Sequence, residues 1–179
     1  GAASGGARVS LTPTVADRLN LAASYGAGNF EVPHGEVQEE AGQDQRESLR
    51  QGSANGSWQR SWSPALGSQV AGYYRRIASD LRDTPAAVPL FAESTRRHER
   101  LGILASLAWQ HDRHTVKAGL ETAQLALNEN FTFAVTDEDD AEEAGISEGA
   151  IAYTLDDPFA FNDRVSRTQW SAYLQDSLR

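Results

Sequence analysis

The sequence predicts an all-β chain: an antiparallel up-and-down meander of about seven strands forming part of a transmembrane β-barrel. Three observations predict it. Apolar and polar residues alternate with period two over long stretches, as side chains do along a strand. Short and long connections alternate strictly, as in a barrel whose tight turns gather at one end and whose loops gather at the other. Three of the four tryptophans fall close to the short turns, where a membrane-interface girdle would place them.

Strands are expected at 6–12, 18–31, 47–62, 66–80, 95–110, 114–133 and 164–178. In the second, Leu19, Leu21, Ala23 and Tyr25 oppose Asn20, Ala22 and Ser24. The third is the cleanest. Gln51, Ser53, Asn55, Ser57, Gln59 and Ser61 are all polar, whereas Gly52, Ala54, Gly56, Trp58 and Trp62 are small or aromatic, with Arg60 the one exception. In the fourth, Val70, Gly72 and Tyr74 oppose Gln69, Tyr73 and Arg75, and which tyrosine takes which side is open. The fifth puts Leu101, Ile103, Ala105, Leu107 and Trp109 on one side. The sixth sets Val116, Ala118, Leu120 and Thr122 against Lys117, Gly119 and Glu121. The last sets Trp170, Ala172 and Leu174 against Arg167, Gln169, Ser171 and Tyr173. Several of these runs exceed the ordinary globular strand of about 5–6 residues.

The connections at 13–17, 63–65 and 111–113 are short, and those at 32–46, 81–94 and 134–163 are long and polar. A Greek-key sandwich has no reason to sort its loops so regularly. In a membrane barrel the oily faces need no protein core, because lipid takes that place. The expected lipid-facing residues are therefore Ala54, Trp58, Trp62, Leu107, Trp109, Leu120, Trp170 and Leu174. Those expected to face the lumen are Ser53, Asn55, Ser57, Lys117, Glu121, Arg167 and Gln169, with Arg75 beside them.

Composition narrows the classes. A net charge of −9 and a pI near 4.9 disfavour nucleic acid as a partner, since phosphate binding needs a basic surface. No apolar run reaches the 18 residues of a membrane helix, a test that barrel strands escape. Without cysteine there is no disulfide framework and no thiolate metal site. A first residue of Gly and the absence of Met suggest a processed or truncated piece of a longer chain.

The chemical motifs favour bland readings. "HDRH" offers His111 and His114 around Asp112, too few convergent ligands for zinc, so a solvated turn is expected. The acidic runs "EVQEEAGQDQRE" and "TDEDDAEEAG" lack the Gly and Glu spacing of a calcium loop and are expected to be solvated, mobile loops. No nucleophile elbow or phosphate-binding glycine loop occurs. The chain reads as a non-enzyme that implies no cofactor.

The runs "GSWQRSWSPALGSQVAGYYRR", "AWQHDRHTVKAGLE" and "SRTQWSAYLQDSLR" resemble the middle of the barrel of a TonB-dependent outer-membrane receptor. The matching residues are Trp58, Gln59, Ser63, Pro64 and Leu66; then His114, Lys117 and Gly119; then Tyr173, Gln175 and Asp176. The resemblance implies a barrel of twenty-two strands, a plug domain, engagement of the TonB system and energised uptake of a siderophore or other nutrient. It also implies the bacterial outer membrane as location, with long loops extracellular and short turns periplasmic. On that reading the 179 residues are one segment of the barrel domain, lacking the plug and the remaining strands. The other reading is a non-transporting β-protein, either a small structural barrel or a soluble binding sandwich. Seven strands and an ending of "DSLR" fit a small complete barrel poorly.

Overall fold

The computed structural model describes residues 1–33 and 35–178. Seven strands run Ala2–Thr14 (β1), Asp17–Glu31 (β2), Arg46–Ser63 (β3), Leu66–Arg82 (β4), Leu90–His111 (β5), His114–Val135 (β6) and Phe159–Leu178 (β7). They form one sheet in sequence order, every neighbouring pair antiparallel. The meander expected from the loop pattern is the fold. It is open: β1 pairs only with β2, and β7 only with β6.

Three strands start earlier than the side-chain pattern suggests. β1 begins at Ala2, β5 at Leu90 and β7 at Phe159, against expected starts at 6, 95 and 164. In each case the backbone ladder continues where the alternation fades. Ala2 pairs with Gly28, Leu90 with Val135 and Phe159 with Phe133. Hydrogen bonding between main chains does not require an amphipathic pattern.

The tight connections are two residues each: Val15–Ala16, Pro64–Ala65 and Asp112–Arg113. Asp112 has φ 52°, a left-handed conformation that Asp tolerates better than most residues. The long connections shrink to 32–45, 83–89 and 136–158, and they carry short helices Glu36–Ala41 (α1), Glu138–Glu143 (α2) and Glu148–Ile151 (α3). Both acidic runs thus hold a short helix within the loop. The Asp137 carboxylate accepts a hydrogen bond from the Asp140 N–H at 3.1 Å and caps α2. Glu138, Asp139 and Asp140 fill its first turn, where the helix dipole favours negative charge.

No large side chain is fully buried among the described residues. The accessible surface is 12387 Å², against about 8,500 Å² for a globular monomer of this mass. The excess lies on the sheet itself. Leu120 is 65% exposed, and Trp170 and Leu174 are each 77% exposed. A single uncovered sheet is not a sandwich.

Among the described residues most of the buried apolar side chains gather at the loop end, where Ala87, Ala134, Val135 and Ala141 are buried. Beside them Phe131, Phe133, Tyr153 and Phe159 form a cluster of tilted and edge-to-face rings, with ring centroids 5.1–6.5 Å apart. Hydrogen bonds also tie the loops together. Gln43 and Gln45 donate to the Asp83 carboxylate, and the Thr136 N–H donates to the Pro89 carbonyl at 2.9 Å.

Candidate functional site

Directly paired residues share a face, so the register assigns every strand side chain to one of two surfaces. Ala54, Trp58, Trp62, Leu107, Trp109, Leu120, Trp170 and Leu174 fall on one face, together with Val9, Leu11, Leu21 and Ile103. Ser53, Asn55, Ser57, Lys117, Glu121, Arg167 and Gln169 fall on the other, together with Arg75 and Arg100. Tyr73 joins the polar face and Tyr74 the apolar one, which resolves the pair left open by the sequence.

The apolar face is a band with two edges. At the short-turn end it closes with aromatic rings whose polar atoms are satisfied. The Trp58 indole N–H donates to Asp17 at 2.9 Å, and that of Trp62 donates to the Ser68 hydroxyl at 2.8 Å. The Arg60 guanidinium sits 4.5 Å from the Trp62 ring centre, and Trp109 stacks on His111. His114, expected in a solvated turn, stands on the same face with its Nδ1 2.6 Å from Asp176.

At the other edge the first charged or amide residue is Asn29 in β2, Arg50 in β3, Arg76 in β4, Glu99 in β5 and Gln124 in β6. Followed through the register, Asn29 aligns with Ser48, Asp80 and Thr95, whereas Gln124 aligns with Leu101. The edge therefore slips six residues across four strand spacings. At about 3.3 Å per residue and 4.8 Å per strand this is roughly 20 Å along the strands against 19 Å across them. A level edge then means strands inclined by about 45°, the tilt of a barrel crossing a membrane. In β5 the band runs from Leu101 to Trp109, and a tilted membrane strand needs about 9–11 residues.

The polar face is knit across strands. The Ser10 hydroxyl donates to Asn20, whose amide reaches Ser57, and Ser24 and Ser53 share a bond of 2.8 Å. At its centre the Tyr73 hydroxyl donates to Glu121 Oε1 at 2.5 Å. Arg100 donates to that same hydroxyl at 3.1 Å and lies 3.4 Å from Glu121. Tyr73 can lie flat there because its partner is Gly102, where a Cβ would collide with the ring. Tyr173 lies over Gly119 in the same way.

Sequence reasoning placed Glu121 on this face but missed its partner Arg100 and the aromatic cluster at the loop end. In β6 the phenylalanines 131 and 133 sit on the polar-face side, after the alternation has changed phase.

No protein-family model and no curated protein matches the chain. Solved structures do. The crystal structure of the ferric yersiniabactin uptake receptor FyuA from Yersinia pestis superposes with a TM-score of 0.71 at 13% identity, over 98% of this chain and 25% of that one. The RagAB peptide importer in its closed-closed state gives 0.58 at 8% identity, and another RagAB peptide transporter structure gives 0.55 at 8%. Each RagAB match covers 99% of this chain and 26% of that one. The chain spans about a quarter of the length of the proteins it matches. Its fold is that of an open stretch of the barrel wall seen in these uptake proteins.

Proposed function

We propose that the chain forms part of the wall of an outer-membrane, TonB-dependent uptake receptor. The slanted apolar band carries this reading. A soluble sheet has no use for a level apolar edge at 45° to its strands, whereas a bilayer imposes one. The apolar face, from Ala54 and Trp58 to Leu120 and Leu174, lies against lipid. The polar face, with Ser53, Asn55, Ser57, Lys117, Glu121, Arg167 and Gln169, lines the lumen and meets a plug domain. Lipid cannot satisfy the free edges of β1 and β7, so further strands close the barrel in the intact protein.

The short turns lie on the periplasmic side, and the tied loops at 32–45, 83–89 and 136–158 form part of an extracellular mouth. The transported ligand is one too large or too scarce for an open pore. On this account the chain performs no chemistry of its own.

Deleting 136–145 from the intact receptor removes α2 and the cap that holds it. Uptake should fall at least tenfold across a panel of ferric chelates and short peptides, while the barrel still reaches the membrane. Protease added to whole cells should cut within 136–158. Cleavage only from the periplasmic side would reverse the orientation, and undiminished uptake of every transported compound would remove the loop from the mouth.

A further inference from the structure

The polarity of the wall inverts past the band. On β6 and β7 the band ends at Gln124 and Thr168, which pair with each other. Beyond them the outward side carries Asn128, Asn130, Asn162 and Arg164, whereas the inward side carries Leu127, Val165, Phe131 and Phe161. Leu127, Val165 and Phe161 are 37%, 40% and 42% exposed. Between the pair Leu127–Val165 and the pair Phe131–Phe161 lies one charged pair, Glu129 opposite Asp163. Like charges directly opposite each other destabilise a sheet. Arg96, across from Glu129, relieves half of this by donating to it through Nε at 3.0 Å. Asp163 has no ion-pair partner among the described residues. Its carboxylate accepts the Arg164 N–H at 2.7 Å, and the Arg164 side chain stands on the other face. The next inward arginines, Arg100 and Arg167, share a row four residues nearer the band, about 13 Å away.

We propose that this inward surface binds the cationic group of the transported ligand, an ammonium or guanidinium carried beside an alkyl or aromatic group, with Asp163 as its counter-ion. The proposal rests on the reading that the long loops form an extracellular mouth. Asp163 stands five residues past Thr168, which on strands inclined at 45° is about 12 Å above the lipid edge. The outward side there meets water with polar residues, so the apolar inward side is the one that lacks a partner.

A carboxylate flanked by Phe161 and Val165 suits a cation that also carries apolar surface. The cation gains charge-assisted hydrogen bonds from Asp163 and the faces of nearby rings. The surroundings repel the opposite charge. The three long connections carry four, one and nine carboxylates in turn, and no lysine or arginine. Of these, only Asp44 meets an arginine, Arg46, among the described residues. Exposed Asp156 and Asp157 lie in the short excursion between Tyr153 and Phe159, whose rings are 5.3 Å apart beside the same surface. Such a mouth concentrates cations and turns anions away.

The test uses the intact receptor in detergent and isothermal titration calorimetry with two matched pairs of probes. One pair is a ferric trihydroxamate bearing a free ammonium and its neutral N-acetylated form. The other is end-blocked Phe-Arg-Phe and the same peptide with citrulline for arginine. The cationic member should bind about tenfold tighter or more in at least one pair, and that pair identifies the source as a chelate or a peptide. Asp163→Asn should abolish the preference, and Asp163→Glu should keep it. Phe161→Ala should weaken both members alike, by about tenfold. Asp112→Asn, in the turn at the opposite end, should change neither.

A preference undiminished in Asp163→Asn would overturn the proposal, as would no preference, or no binding, in both pairs. Labelling of Leu155→Cys by an impermeant maleimide on whole cells separates the two levels. Label taken up from outside without any cation preference defeats only the cation site. Label taken up only after the cells are opened defeats the extracellular mouth beneath it.

Discussion

Leu120→Arg in the intact receptor is expected to destabilise the folded barrel by about 2–4 kcal/mol, measured by urea unfolding in lipid vesicles. Leu120 pairs with Ala105, midway between the aromatic edge at Trp109 and the polar edge beyond Leu101, so a charge there has the longest path to water. Gln169→Arg supplies the comparison. Gln169 lies on the polar face beside Ala123, where a new charge meets the lumen and should change stability by no more than about 0.5 kcal/mol. Equal costs at the two positions would mean that the faces are not in different solvents.

The second large effect lies in the inner wall. Gly102→Leu should cost about 1–3 kcal/mol, because the added side chain must displace the Tyr73 ring or force a shift of the strand. Moving Tyr73 also breaks its bond to Glu121 and removes a partner from Arg100. Tyr73→Ala made in the Gly102→Leu background should recover part of the loss, giving a coupling energy of about 1 kcal/mol or more in a double-mutant cycle. Strict additivity would show that the close approach of ring and glycine contributes nothing to the wall.

The banded half of each strand was legible because there the two faces differ most in polarity. In β3 every polar residue from Gln51 to Ser61 except Arg60 faces one way, and in β5 every large apolar residue from Leu101 to Trp109 except Leu104 faces the other. Beyond the band that contrast weakens and then inverts. Outward positions in β6 become Gln124, Asn128 and Asn130, while Leu125, Leu127, Phe131 and Phe133 turn to the polar-face side. A phase change of this kind reads along the sequence as a break in alternation, so the early starts of β5 and β7 stayed hidden.

The helices in the acidic loops span four to six residues, too few turns to leave a helical period. Strand tilt was illegible for a different reason. Asn29, Arg50, Arg76, Glu99 and Gln124 lie on five strands and span 96 positions of the chain, and only the pairing register brings them into one edge. The same holds for Tyr73, Arg100 and Glu121. Glu121 was expected on the polar face, but its contact with Tyr73 and Arg100 depends on two hairpin registers at once.

The central claim is that one face of this sheet meets lipid and that the strands cross it at a slant. The chain contains no cysteine, so single cysteines introduced within it carry a spin label at known positions. Collision with oxygen, which partitions into lipid, is compared with collision with a water-soluble nickel complex, in the intact receptor in bilayers. The account predicts oxygen-dominated collision at Leu101, Ile103, Ala105, Leu107 and Leu120, and nickel-dominated collision at Ser106, Lys117 and Glu121. Labels at Asn29 and Gln124 should report the same depth. A reversed phase, or depths at Asn29 and Gln124 that differ by about 20 Å as untilted strands would require, would contradict it.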